Sequence, residues 1–101
     1  MLIAIDYDKT WTEDPDFWNQ VVCIGRSRDH SFVMVTARSK WSDDMARSNL
    51  PQDLPIVYTG GRELKRKAAF QAGHYVDVWV DDMPGTIERT VLLEPTDDKL
   101  I

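Results

Sequence analysis

Short apolar runs that alternate with longer amphipathic segments are the feature of this chain that most constrains its fold. Each run ends abruptly in polar residues, and β-branched residues are frequent within the runs, as is typical of buried strands. The segments between the runs are long enough for helices, and strands joined through helices form a mostly parallel sheet. The pattern therefore predicts an α/β fold. The four clearest runs are 2–5, 32–35, 56–58 and 75–80.

Residues suited to helix ends stand between these runs. Asp14 is a suitable N-cap, Pro15 suits the first helical position, and Gly73 is a natural stop for a later helix. We predict about five strands in all. With no linker, repeat or low-complexity tract, residues 1–101 are expected to form a single domain. The predicted helices cover 15–28, 40–50 and 62–72, and the fifth strand covers 90–93.

The composition narrows the choice of partners. A net charge of −5 and a pI near 4.8 argue against broad electrostatic attraction to nucleic acid or to a membrane surface. No apolar stretch approaches the roughly 20 residues that a membrane span needs. The single cysteine excludes an intramolecular disulfide, and Cys23, within the apolar stretch 21–24, is predicted to be a small core residue. We expect a cytoplasmic protein without membrane contact.

Two carboxylates follow the first strand directly. Side chains two apart on a strand point the same way, so Asp6 and Asp8 are predicted to emerge together at the carboxyl end of residues 2–5. That edge of an open α/β sheet is where ligands bind. Two carboxylates held together there need a cation or a shared proton, which indicates a catalytic site.

Two other strands also end in residues suited to phosphate or metal chemistry. Thr36 follows the second strand, and Asp81-Asp82 follow the fourth. A parallel sheet brings the carboxyl ends of its strands to one edge, so these residues are predicted to lie near Asp6 and Asp8. Acidic residues at the end of an apolar strand differ from solvated acidic pairs elsewhere, and we predict that Asp81, Asp82 or both bind a metal.

With these residues in place, the chain resembles the haloacid dehalogenase superfamily of phosphohydrolases, and in particular its small members that lack a cap domain. Residues 6–10, Asp-Tyr-Asp-Lys-Thr, resemble the first motif, and Thr36 resembles the second. A lysine within 62–67 resembles the third motif, and Asp81-Asp82 the fourth. The resemblance implies a three-layer, Rossmann-like sheet with the first strand in the centre, no cap domain and an open site.

The resemblance also implies roles for the acidic residues. Asp6 is expected to be the nucleophile that forms an aspartyl-phosphate, and Asp8 to protonate the leaving oxygen and then deprotonate the attacking water. Mg²⁺ is expected to bind Asp6, the backbone carbonyl of Asp8, and the pair Asp81 and Asp82. The expected function is thus a Mg²⁺-dependent phosphomonoesterase acting on a phosphorylated substrate.

The remaining roles go to a hydroxyl and an amine. Thr36 is expected to donate its hydroxyl to the phosphoryl group. A lysine is expected to offset the negative charge of the nucleophile and phosphate. We favour Lys65, because it opens its helix on the side of the alanines that face inward, and Lys67 is the alternative. Thr10 is expected to brace the loop after the first strand.

Two features depart from the family pattern. Lys9 stands where a small residue is usual, so it either adds a cation near the substrate or alters the loop. The segment 9–14 is also too short for the usual flap in full form. Without a cap, the enzyme must use bulky substrates or borrow a neighbouring subunit, so a homo-oligomer is possible. Trp11 and Trp41 are candidate exposed aromatics for a base or a subunit contact, and Trp41 is equally compatible with core packing.

Other functions remain open at this point. A nucleic-acid-end phosphatase would use the same chemistry on a polynucleotide terminus, and small phosphorylated metabolites are equally compatible with it. A non-catalytic binding protein would keep the fold for interaction alone. A receiver domain would carry its phosphoacceptor after the third strand, but that strand ends in Tyr58-Thr59-Gly60, which argues against it.

Overall fold

Four strands and two helices follow one another in the computed structural model, which describes residues 1–41 and 49–89. Short 3₁₀ helices, Trp11–Glu13 and Pro84–Thr86, follow the first and last strands. Within the described ranges, no helix combines the length and apolarity needed to cross a bilayer. The elements are β1 (Leu2–Ile5), α1 (Pro15–Ser27), β2 (Ser31–Thr36), β3 (Ile56–Tyr58), α2 (Lys65–Gln71) and β4 (Val78–Val80).

The sheet is parallel throughout, in the order β3-β2-β1-β4. Ile5 lies opposite Met34 on one neighbouring strand and opposite Val80 on the other, so β1 is central. The chain builds outward from β1 through β2 to β3 and then returns to the other side of β1. Ligand sites in such sheets form where the order reverses, which here is the carboxyl end of β1 beside that of β4.

The two faces of the sheet bury different side chains. Ile5, Phe32 and Met34 pack on one side together with Val22 of α1. Residues one position along each strand point to the opposite face, as the period of a strand requires. The helices therefore cover opposite faces of the sheet, which agrees with a Rossmann-like layout. The cluster on the α2 side consists of Ala4, Val33, Val35, Val57, Ala68 and Ala69.

Helix starts differ in how closely they match the prediction. The Asp14 side chain accepts a hydrogen bond of 3.2 Å from the Phe17 N–H, and Pro15 opens α1 as predicted. The second helix starts at Lys65, three residues later than predicted, because Leu64 is extended and Gly60 and Gly61 take left-handed conformations in the preceding turn. This later start makes Lys65 the first residue of α2.

One prediction about the core is wrong, and two predicted elements lie wholly or mostly outside the described residues. Cys23 is exposed, so its predicted core position is wrong, because α1 turns that residue to solvent while Val22 faces the sheet. The described residues contain four strands, not five; the fifth, predicted over 90–93, lies outside them. Most of the predicted helix over 40–50 also lies outside the described residues.

Candidate functional site

The backbone of Asp6 extends the pairing of the central strand by one residue. Its N–H donates to the carbonyl of Val80 at 3.0 Å, and its own carbonyl accepts from the N–H of Trp11 at 3.2 Å. The Asp6 residue is 7% exposed. Both backbone contacts fix the direction in which the carboxylate leaves the sheet, toward the end of β4.

Three carboxylates meet at this edge. Asp6, Asp81 and Asp82 each contribute one oxygen to a group in which all atoms lie within 4.8 Å of one another. The hydroxyl of Thr10 lies 3.4 Å from an oxygen of Asp6 and 3.4 Å from an oxygen of Asp82. Thr10 therefore ties the loop after β1 to the cluster, in keeping with its predicted bracing role. We call Asp6, Asp81 and Asp82 the acidic cluster.

A buried lysine joins two members of the acidic cluster. Lys65 is 3% exposed, and its Nζ lies 2.8 Å from Asp6 Oδ1 and 2.6 Å from Asp81 Oδ2. The start of α2 at this residue aims the side chain at the sheet edge. Lys67, the alternative from the sequence, is exposed. Of the two lysines, Lys65 is the one that the fold brings to the acidic residues.

Burial controls the protonation of Asp6. Removal from water raises the pKa of the Asp6 carboxyl above its ordinary value of 3.8. The hydrogen bond and the charge of Lys65 oppose this effect, while the negative charge of Asp81 adds to it. Burial thus outweighs the ammonium of Lys65, and the protonated form of Asp6 is favoured relative to an exposed carboxyl.

Asp8 leaves the sheet in a different direction from Asp6. β1 ends at Ile5 and the chain turns over residues 7–10, so the alternation that predicted a shared direction does not continue. The Asp8 carboxylate accepts two hydrogen bonds from the Arg38 guanidinium, at 2.8 and 2.9 Å. It is therefore absent from the acidic cluster, although it lines the same cleft.

Thr36 ends β2 and is fully buried. Its hydroxyl oxygen accepts a hydrogen bond of 3.1 Å from the Arg38 N–H, and its carbonyl accepts one of 2.9 Å from the Thr59 N–H. Thr36 does not line the cleft beside the acidic cluster, whereas the next residue, Ala37, does. In this structure Thr36 fixes the loop that carries Arg38.

The cleft has a volume of about 170 Å³ and opens at the carboxyl ends of β1 and β4. It brings together four of the predicted acidic residues and the favoured lysine, while Lys67 and Thr36 lie outside it. Neither tryptophan lines it: Trp11 is 1% exposed, so its predicted exposure is wrong, and Trp41 is 85% exposed. The lining residues are Asp6, Asp8, Lys9, Ala37, Lys65, Asp81, Asp82, Met83 and Thr86.

Sequence reasoning missed Arg38 and Thr86. Arg38 follows Thr36 by two residues at the same sheet edge as Asp8, so its position was a usable signal for an ion pair. Its guanidinium also lies 5.3 Å from the centre of the Tyr7 ring, which steadies it from a second side. Thr86 belongs to the 3₁₀ helix after β4, and nothing in its local sequence marks it as a lining residue.

The donor set of the acidic cluster fits a hard divalent cation. Carboxylate oxygens are the ligands that Mg²⁺, Mn²⁺ and Ca²⁺ prefer, and no soft ligand lies among them. Three carboxylates and the single ammonium of Lys65 leave two negative charges uncompensated. The cluster can therefore hold a metal ion, and its chemistry alone does not distinguish Mg²⁺ from the other hard cations.

Metal binding predicts a thermal shift. A cation at about ten times its Kd adds roughly 1.4 kcal/mol to the free energy of unfolding. For a domain of this size, that corresponds to a rise in Tm of roughly 7 °C. We expect this rise for wild type on adding Mg²⁺ after EDTA treatment, and expect Asp82→Asn to lose most of it. The Asp53→Asn variant, with an exposed carboxylate outside the cluster, is the matched control. Equal shifts in all three proteins would show that the cluster is not where the metal binds.

Comparison with known proteins shows one partial similarity, to a peptidase. In an alignment over 87 residues that covers 84% of the chain, the sequence is 32% identical to Dipeptidyl aminopeptidase BI of Pseudoxanthomonas mexicana. The chain covers 11% of the length of that curated relative. No family model matches the chain, and no solved structure matches it. A similarity that covers so little of the peptidase does not carry its activity to this chain.

Proposed function

We propose that this protein is a Mg²⁺-dependent phosphomonoesterase of the haloacid dehalogenase type, with Asp6 as the nucleophile. The observation that carries the proposal is the Asp6 carboxylate at the end of the central strand, bonded at 2.8 Å to buried Lys65 and grouped with Asp81 and Asp82. A nucleophile, a fixed cation and a candidate metal site thus meet at the sheet edge where ligands bind.

The first half of the reaction follows from the position of Asp6. An oxygen of its carboxylate attacks the phosphorus of the substrate, an O–P bond forms, and the bond to the leaving oxygen breaks. Lys65 donates a hydrogen bond to Oδ1 and so fixes the orientation of the carboxylate. A carboxylate held in this way is already oriented for attack when the substrate binds. The product of this half is an aspartyl-phosphate on Asp6.

Asp8 serves both proton transfers in this proposal. In its protonated form Asp8 gives a proton to the leaving oxygen, and the resulting carboxylate later takes a proton from the water that hydrolyses the aspartyl-phosphate, which restores the protonated form. Its carboxylate lines the same cleft as the acidic cluster and is oriented by two hydrogen bonds from Arg38. Arg38 is therefore a positioning residue, which keeps Asp8 out of the cation site.

The candidate cation would be held by Asp6, Asp81 and Asp82. When bound, a divalent ion supplies charge that offsets repulsion between an anionic nucleophile and an anionic phosphate. Lys65 contributes to the same balance through its contacts with Asp6 and Asp81. The connections after β1 and β3, residues 6–14 and 59–64, are short, so neither is long enough to cover the cleft, which suits substrates with large leaving groups.

The test is hydrolysis of p-nitrophenyl phosphate with Mg²⁺ and with EDTA. Turnover that depends on the metal supports the proposal. Beryllofluoride, a mimic of the phosphoryl group on a carboxylate, provides a second measurement that does not need turnover. A protein that neither hydrolyses the ester nor captures beryllofluoride in Mg²⁺ would refute the proposed function.

Replacement of the proton donor predicts a loss that depends on the leaving group. Asp8→Asn is expected to lower kcat by about 10² to 10⁴. The loss should be larger for glycerol phosphate than for p-nitrophenyl phosphate, because an alkoxide needs a proton to leave and nitrophenolate does not. Steady-state kinetics with both esters measure the difference.

The Asp16→Asn variant is the control for this measurement, since Asp16 is an exposed carboxylate in the first turn of α1. It should leave kcat unchanged with either ester. An Asp8→Asn enzyme that lost the same factor with both esters would contradict a proton-donor role and would favour a role in positioning alone.

A further inference from the structure

Lys9 has an unusual backbone for its residue type. Its φ is +60°, in the left-handed region that L-residues with long side chains seldom adopt. Among the described residues, two other non-glycine positions share this region, and both are aspartates, Asp29 and Asp53. Short side chains of that type tolerate the conformation, whereas a lysine gains nothing from it. The turn thus carries a residue that works against local stability.

The position of Lys9 indicates why a lysine stands at this left-handed position. The residue lines the 170 Å³ cleft that also contains Asp6 and Lys65. Its backbone N–H donates to the Thr12 hydroxyl at 3.0 Å, which holds the strained turn in place. Non-glycine residues in sparsely populated backbone regions cluster at ligand sites, where the surrounding structure maintains them. The unfavourable backbone conformation of Lys9 thus lies in the lining of the cleft.

Lys9 differs from the neighbouring cations, Lys65 and Arg38, in its side-chain partners. The ammonium of Lys65 is bonded to Asp6 and Asp81, and the guanidinium of Arg38 is bonded to Asp8. The Lys9 ammonium makes no hydrogen bond or ion pair with any residue in 1–41 or 49–89. It is exposed to solvent and carries its charge to the cleft unpaired.

We propose that Lys9 is a substrate-binding residue, whose ammonium receives an anionic oxygen of the phosphorylated ligand in the cleft. An incoming phosphomonoester faces four carboxylates along the lining, and Lys9 is the lining cation that can meet it without breaking an ion pair. The inference rests on the proposed function, which puts a phosphate in this cleft. A charge-assisted hydrogen bond to that oxygen strengthens binding by about tenfold.

The test measures anion binding and does not need turnover. Calorimetry in Mg²⁺ compares inorganic phosphate and methylenebisphosphonate for wild type, Lys9→Gln and Lys67→Gln. Lys9→Gln keeps a side chain of similar length without the charge, and Lys67 is an exposed lysine outside the cleft. We expect Kd to rise about tenfold in Lys9→Gln and to stay unchanged in Lys67→Gln. The difference should shrink at high salt, because an exposed charge is screened.

The two ligands locate the contact. Equal weakening of both by Lys9→Gln means that the ammonium contacts the phosphoryl group itself, and weakening of the bisphosphonate alone means that it contacts a second anionic group. Unchanged Kd values for both ligands, or a wild-type protein that binds neither, would overturn the proposal. Weakened binding in a protein that neither hydrolyses an ester nor captures beryllofluoride would keep Lys9 as an anion-binding residue and refute the phosphatase.

A glycine at this position separates strain from charge. Lys9→Gly relieves the left-handed conformation, so its Tm should rise by a few degrees while it loses phosphate affinity as Lys9→Gln does. Opposite changes in stability and binding are not expected of a lysine whose role is to hold the turn. A fall in Tm together with unchanged affinity would assign Lys9 to the turn and overturn the proposal.

Discussion

Asp6→Asn is expected to reduce hydrolysis of p-nitrophenyl phosphate by a factor on the order of 10⁴ or more. The amide has no negative oxygen with which to attack phosphorus, so the aspartyl-phosphate cannot form. Loss of one carboxylate also weakens the candidate cation site formed with Asp81 and Asp82. Both effects act in the same direction on turnover.

The same substitution should leave the fold intact, and the raised pKa of Asp6 gives the reason. Because the folded state binds this proton more tightly than the unfolded state, protonation of Asp6 stabilises the protein at acid pH. That contribution is complete below the unfolded pKa of 3.8 and is lost as the pH rises through the folded pKa. Asparagine resembles the protonated form at every pH. In EDTA, Asp6→Asn should therefore match wild type at acid pH and equal or exceed its stability at neutral pH.

Two measurements together check this prediction: initial rates with Mg²⁺, and urea unfolding in EDTA at acid and neutral pH. Asp81, which lies 2.6 Å from the Lys65 ammonium in the wild-type protein, is unchanged in the variant, so we expect no buried ammonium to be left unpaired. If the variant is inactive because it is unfolded, beryllofluoride capture by the wild-type protein tests the role of Asp6 in its place. A folded Asp6→Asn enzyme with wild-type rates would exclude Asp6 as the nucleophile.

Much of the site could be predicted because it depends on strand ends. A short apolar run followed at once by Asp6, and another followed by Asp81, are local patterns, and a parallel sheet brings their ends to one edge without further information. Helical spacing relative to Ala68, Ala69 and Ala72 likewise favoured Lys65 over Lys67. Ala68 and Ala69 are buried as predicted, whereas Ala72, just beyond the end of α2, is exposed. The geometry of regular elements is encoded in short stretches of sequence.

The parts of the site that were predicted wrongly lie just beyond the end of a strand. Asp8 was predicted to share the direction of Asp6, but the strand ends at Ile5 and the turn sends Asp8 to Arg38, 30 positions along the chain. Trp11 was predicted to be exposed, yet the 3₁₀ helix after β1 turns it into the core. In both cases the direction of a side chain is set by a turn, whose conformation depends on tertiary contacts that short sequence patterns do not contain.

Lys65→Met should destabilise the protein by about 3–5 kcal/mol in EDTA, because it leaves Asp6 and Asp81 buried together without their shared cation. Methionine keeps the length and apolar stem of lysine, so the loss reports the charge more than the packing. Lys67→Met is the matched control, two residues along the same helix and exposed. It should change stability by less than about 0.5 kcal/mol. Urea unfolding of the three proteins gives the comparison.

Mg²⁺ tests whether the loss arises from charge. A divalent cation in the acidic cluster would supply positive charge beside the same carboxylates, so the gap between wild type and Lys65→Met should be narrower in Mg²⁺ than in EDTA. Combining Lys65→Met with Asp6→Asn should also recover part of the stability, because one of the uncompensated charges is then removed. If the loss were the same in EDTA, in Mg²⁺ and in the double variant, Lys65 would act through packing alone. The acidic cluster would then fold without charge compensation, and its fit to a metal ion would lose its physical basis.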